Sequence, residues 1–116
     1  MAKVKVAIAT KGQKGLGDEV ADHFAKAETF TIATVEGKKV HLEIMKNPAA
    51  GLSRGRGRVV VQKLKEFGVD VVVAAEIGLG ALSLLKEEKL KVAKVHVGTK
   101  VIDVIRDELY KKHFSA

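Results

Sequence analysis

Residues 69–75, VDVVVAA, constrain the fold more than any other stretch of the chain. They are almost all β-branched or small and apolar, which describes a strand covered on both faces. Such a strand belongs inside a sheet with helices above and below it. The flanking sequence agrees. Before it, Val60, Val61, Leu64 and Phe67 recur on one helical face, Gln62, Lys63, Lys65 and Glu66 lie outside, and Gly68 is a natural C′ stop. After it, Ile77-Gly78-Leu79-Gly80 turns into a helix ending near Glu88, with Ala81, Leu82 and Leu85 inward. Residues 90–97 read as another strand. Thr99 then caps a last helix whose Val101, Ile102, Ile105 and Leu109 face the core, with Asp107 to Lys111 and Glu108 to Lys112 as favourable i,i+4 pairs.

The first half follows a different rhythm. Residues 3–9 alternate, with Val4, Val6 and Ile8 on one face and the small Ala7 and Ala9 on the other, where a helix can pack closely. Residues 10–17 form a loop punctuated by Gly12, Gly15 and Gly17, and Asp18 reads as the N-cap of a short helix over 19–24. Residues 28–35 and 39–45 are two strands around Glu36-Gly37-Lys38, a hairpin. Asn47-Pro48 ends that unit and 49–57 is a loop. The order β(α)ββαβαβα calls for parallel crossovers in the second half and one antiparallel strand from the hairpin. The expected fold is a three-layer α/β/α sandwich on a mixed five-stranded sheet, formed by a single domain over 1–116.

Composition narrows the chemistry. Cysteine is absent, which removes disulfides, thiolate metal sites and cysteine nucleophiles together. The N-terminal apolar run is broken by Lys3 and Lys5, and no window approaches the ~20 apolar residues of a membrane span, so a cytoplasmic location with no membrane partner is expected. Abundant Lys and Glu beside one Asn and two Gln lean towards a thermophile. The net charge of +7 favours anionic partners. The four Phe and one Tyr are scattered without the basic–aromatic interleaving that stacks bases, so nucleic acid has only net charge in its favour.

Ligands of open α/β sheets gather outside the carboxyl ends of the parallel strands. Loops 10–17, 76–80 and 98–99 reach that edge, and so does the loop GLSRGRGRVV before the first long helix. Arg54, Arg56 and Arg58 alternate there with Gly55 and Gly57, beside helix N-termini that carry partial positive charge and free N–H groups. With Gly78 at the start of the next helix, these residues form a candidate anion pocket; the bland alternative is a solvated loop. KGQKGLG fits neither phosphate-loop nor dinucleotide fingerprints, so no nucleotide cofactor is expected. Paired catalytic carboxylates and a Ser-His-Asp pattern are not evident, which argues against an enzyme. His23, His41, His96 and His113 show no metal-ligand spacing. His41 and His96 lie on strands where face packing is the default, His113 suits a helix end, and His23 alone is near the presumed rim.

KVAIAT, ADHFAKAETFTIATVEG, NPAAG with the glycine-rich loop, and the long segment from VDVVVAAEIGLGALSLL onward appear in an order and spacing that resemble the dinitrogenase iron–molybdenum cofactor biosynthesis family. The resemblance spans about residues 4–109. It implies a ribonuclease H-like motif fold and a non-enzymatic protein that binds and delivers an iron–molybdenum or molybdenum–sulfur cluster between donor and acceptor proteins. The family's histidine in its His-Phe-Gly segment falls on His23, the candidate metal ligand, although the glycine is Ala25 here. Its glycine-rich loop falls on residues 51–57, arginine-loaded in this chain. The alternative from another class is a basic interaction module for nucleic acid or a partner protein.

Overall fold

The computed structural model describes residues 3–114, with side chains described up to Asp107. The elements are β1 (Lys3–Thr10), a 3-10 turn (Gly15–Gly17), β2 (Thr29–Glu36), β3 (Lys39–Lys46), α1 (Arg56–Glu66), β4 (Val71–Ala74), α2 (Leu79–Glu87), β5 (Lys91–Lys94) and α3 (Val101–Phe114). The strands form one sheet in the order β3-β2-β1-β4-β5. Strand β2 is antiparallel to both β1 and β3, while β1, β4 and β5 are mutually parallel. The mixed sheet with a single reversed strand is the one expected.

The connections decide which face each helix covers. The β3-to-β4 and β4-to-β5 crossovers step the same way along the sheet, so a common hand puts α1 and α2 on one face. There they meet Ala7, Ala9, Phe30, Ile32, Val72 and Ala74. The opposite face, with Val6, Ile8, Ala33, Val35, Val71 and Val73, packs under α3 through Val101, Val104 and Ile105. The alternation in β1 and the unbroken apolar run of β4 therefore have one cause: both strands are sandwiched between helix layers.

Both crossover helices end in the same motif. In α1 the N–H of Gly68 bonds the Lys65 carbonyl and that of Val69 bonds the Leu64 carbonyl, with Gly68 at φ +78°. In α2 the N–H of Lys89 bonds Lys86 and that of Leu90 bonds Leu85, but the left-handed position is filled by Lys89 at φ +63°. A Cβ in that region is sterically costly.

Three local expectations change. Residues 19–24 are not a helix. The Asp18 carboxylate turns back, accepting the N–H groups of Gly12 and Lys14 at 3.1 Å each and of Glu19 at 2.8 Å. The chain beyond it runs extended, because this route buries Val20, Ala21 and Phe24 while its backbone bonds to strand ends. The Thr99 hydroxyl does not cap α3; it donates to the His96 carbonyl, and the Lys100 carbonyl accepts the first helical bonds, from Asp103 and Val104. Val104, rather than Ile102, joins the core under α3. The expected contact of Leu109, the pairs of Asp107 with Lys111 and Glu108 with Lys112, and the position of His113 lie outside the described side chains.

Lys89→Gly should raise stability by about 1 kcal/mol, relieving a left-handed side chain, as measured by urea denaturation. Asp18→Ala should cost about 2–4 kcal/mol by stranding three backbone donors, visible in the same titration as a lower midpoint with an unchanged slope.

Candidate functional site

The carboxyl ends of the parallel strands are bridged by the extended segment 18–24. Its Ala21 N–H bonds the Ala9 carbonyl at the end of β1, and its Val20 pairs with both Gly98 and Thr99 beyond β5. After β4, the Phe24 N–H donates to the Glu76 carbonyl at 2.8 Å and the Glu76 N–H to the Asp22 carbonyl at 3.1 Å. These two bonds hold His23 opposite Glu76 in a parallel bridge. Phe24 anchors the segment from below: it is 1% exposed and meets Phe30 edge-on, with centroids 5.5 Å apart. The His23 side chain faces solvent.

His23 borders an open cleft of about 430 Å³ lined by Asp22, His23, Ala75, Glu76, Val95, His96 and Val97. His96 was expected to pack against the sheet. It is exposed instead, because β5 ends at Lys94 and the main chain turns at Gly98, φ +87°. The cleft thus joins two imidazoles and two carboxylates, of which only His23 was singled out from sequence. Among the described residues no three His, Asp or Glu side chains are arranged to hold a metal ion.

The arginines occupy the neighbouring part of the rim. Gly55 is the N-cap of α1 at φ +71°, a left-handed position suited to glycine, and Arg56 begins the helix. The Arg56 Nε donates to the Leu52 carbonyl, while Arg54 and Arg58 are exposed. Among the described residues no carboxylate pairs with any of the three. Neither α1 nor α2, whose N-cap is Gly78, has a side-chain cap or an acidic residue in its first turn. The two helix starts are neighbours, since a Cβ on Gly57 would stand 3.1 Å from the Ala81 Cβ.

Asn47 ties the two halves of the rim together. Its buried amide nitrogen donates to the carbonyls of Ala25 and Ala27 at 2.9 and 2.8 Å, and its oxygen accepts from the Ala49 N–H at 2.8 Å. The loop after His23 and the loop leading to the arginines are therefore pinned to one side chain. His23 in turn sits opposite Glu76, two residues before the N-cap of α2.

The glycine-rich loop after β1 is differently employed. Its Gly12 and Lys14 amides point at Asp18. The adjacent hollow of about 200 Å³ is bordered by Lys11, Lys14 and Lys100, but Glu19 bridges Lys11 at 2.9 Å and Lys100 at 3.2 Å. The hydrogen bonds from Lys11 and Lys100 hold the Glu19 carboxyl below the usual carboxylate range, and the bond to Glu19 raises Lys11. The lysines of this hollow are thus partly neutralised by Glu19, whereas none of the three arginines is ion-paired among the described residues.

The chain is similar to several solved structures. It shares 26% identity with the apo form of the orange protein from Desulfovibrio gigas, at a TM-score of 0.82 over 93% of this chain and 88% of that one. With a NifB-like protein from Thermotoga of the DUF35 family it shares 32% identity, at a TM-score of 0.72 over 91% of this chain and 90% of the other. PH0822 shares the fold, at 24% identity and a TM-score of 0.78 over 92% of this chain and 91% of that one. No curated protein matches the sequence. The model of the dinitrogenase iron-molybdenum cofactor family matches residues 2–110, and the chain belongs to that family.

Proposed function

We propose that the protein is a non-enzymatic carrier of an anionic metal–sulfur cluster, of the iron–molybdenum or molybdenum–sulfur type. The observation that carries this reading is the pair of helix starts after Gly55 and Gly78, which lack side-chain caps and adjoin at Gly57 and Ala81. Three guanidiniums stand at or just before the α1 start, with no carboxylate paired with them among the described residues. Positive charge at a helix N-terminus opposes the macrodipole, so Arg56 and Arg58 at the start of α1 carry a cost that a bound anion offsets. Backbone N–H groups and planar guanidiniums are matched donors for the sulfide and oxo edges of such a cargo. Family membership and the likeness to a protein solved in its apo form support a bound group.

The metal atoms of the cargo need a different donor. His23 is the direct ligand in this reading, reaching over the rim from a backbone position fixed by Glu76. Asp22 and Glu76 line the His23 cleft together with His96, and their charge makes the arginine part of the rim the more favourable place for a polyanion. A cargo held by one imidazole and by hydrogen bonds can be released to an acceptor protein without breaking several metal–ligand bonds. Binding and delivery, rather than catalysis, is the role that such a donor set favours.

Anaerobic incubation with tetrathiomolybdate and ferrous or cuprous ions should give a coloured protein-bound species. Replacing Arg54, Arg56 and Arg58 together by Ala removes three charge-assisted donors, any one of which is worth about 1.5 kcal/mol. Uptake should then weaken at least about tenfold while the circular dichroism spectrum is unchanged; undiminished uptake contradicts the arginine role. His23→Ala should shift or abolish the charge-transfer absorption of the loaded protein, and an identical spectrum would remove His23 as a ligand.

A further inference from the structure

Among the described residues strand β3 is an open edge of the sheet and is eight residues long, whereas β5 at the other edge has four. Long unpaired edges are templates for another strand. The direction of the free backbone groups in β3 follows from its pairing. Gly37, φ +61°, takes the first central position of the two-residue turn, as in a type II′ hairpin. At the far end, the Asn47 N–H donates to the Glu28 carbonyl, one step beyond the Thr29 and Lys46 pair. Ladder bonds alternate with a period of two, so odd-numbered residues of β3 bond β2. The N–H and C=O groups of Val40, Leu42 and Ile44 therefore point away from the sheet.

The side chains are arranged to match. Val40, Leu42 and Ile44 share one face, with Val40 36% and Ile44 42% exposed. The 3-10 turn lies against this face, since a Cβ on Gly15 would stand 3.8 Å from a Leu42 methyl, and it adds the exposed Leu16. His41 and Glu43 alternate on the other face, both exposed.

We propose that two copies of this chain pair antiparallel through β3, about a two-fold axis at Leu42, to join their sheets into one. In this register Leu42 exchanges backbone bonds with the partner's Leu42, and Val40 lies opposite the partner's Ile44. His41 lies opposite the partner's Glu43, twice by symmetry, so an imidazole N–H meets a carboxylate on each side of the axis. The neighbouring registers are worse. An axis at Glu43 sets two carboxylates against each other, and one at His41 sets Ile44 against the partner's Lys38. The Leu42 register has a like-charge contact only at its ends, between Lys46 and the partner's Lys38, where both side chains are exposed. One strand edge buries less than a standard stable interface, so the dimer is weak and concentration-dependent.

This pairing is independent of the cargo reading and is tested without cargo. Sedimentation across a wide concentration range should show a monomer–dimer equilibrium. Amide exchange at Val40, Leu42 and Ile44 should slow at least about tenfold on raising the concentration, with His41 and Glu43 unaffected. Ile44→Lys, at an exposed position, should leave a folded monomer. His41→Glu should weaken the dimer, and combining it with Glu43→Lys should restore it. A monomer at every concentration, a dimer that persists in Ile44→Lys, or a double variant no better than His41→Glu alone would overturn the proposal.

Discussion

The rim of this protein depends on a backbone problem at the ends of its parallel strands. Carbonyls and amides that leave β1 and β4 need partners, and solvent alone would leave the loops above them unfixed. The extended crossing of residues 18–24 supplies those partners at Ala9 and Glu76, and it is held down by the buried Val20, Ala21 and Phe24. Asp18 locks its start by closing the preceding loop on three amides. His23 is thereby presented by a stitched segment of sheet rather than by a free loop, which is what the ligand role proposed for it requires.

Charge is distributed along this rim in an informative way. Near β1 the lysines are answered by Glu19, and near β4 and β5 the histidines are accompanied by Asp22 and Glu76. At the starts of α1 and α2 neither first turn carries an acidic residue, and none of the three arginines is ion-paired among the described residues. Guanidiniums prefer anionic edges and imidazoles prefer metal atoms. A metal–sulfur cluster presents both, which is why one small cargo can satisfy two unlike donor sets.

Much of the fold was legible because its signals are local or periodic. The alanine and β-branched faces of β1, the apolar run of β4, the helical spacing of Val60, Val61 and Leu64, and Gly68 as a stop all act within a few residues, and each is seen in the structure. The crossing segment was not legible. Asp18 followed by Val20, Ala21 and Phe24 has a cap and helix-like spacing, and the extended path wins only through bonds to Ala9 and Glu76 that are distant in sequence. His96 was hidden for a related reason: whether it packs or faces solvent depends on how far β4 carries β5, and that strand stops at Lys94. The arginine loop could be placed on the rim from topology. Its apposition to α2 through Gly57 and Ala81 needed coordinates.

The most direct test of the central claim is the metal and acid-labile sulfide content of the protein isolated without oxygen from its native host. The account predicts molybdenum with sulfide in near-stoichiometric amounts, lost when the arginines and His23 are replaced in the host. Protein recovered free of molybdenum and sulfide from cells replete in both would contradict it.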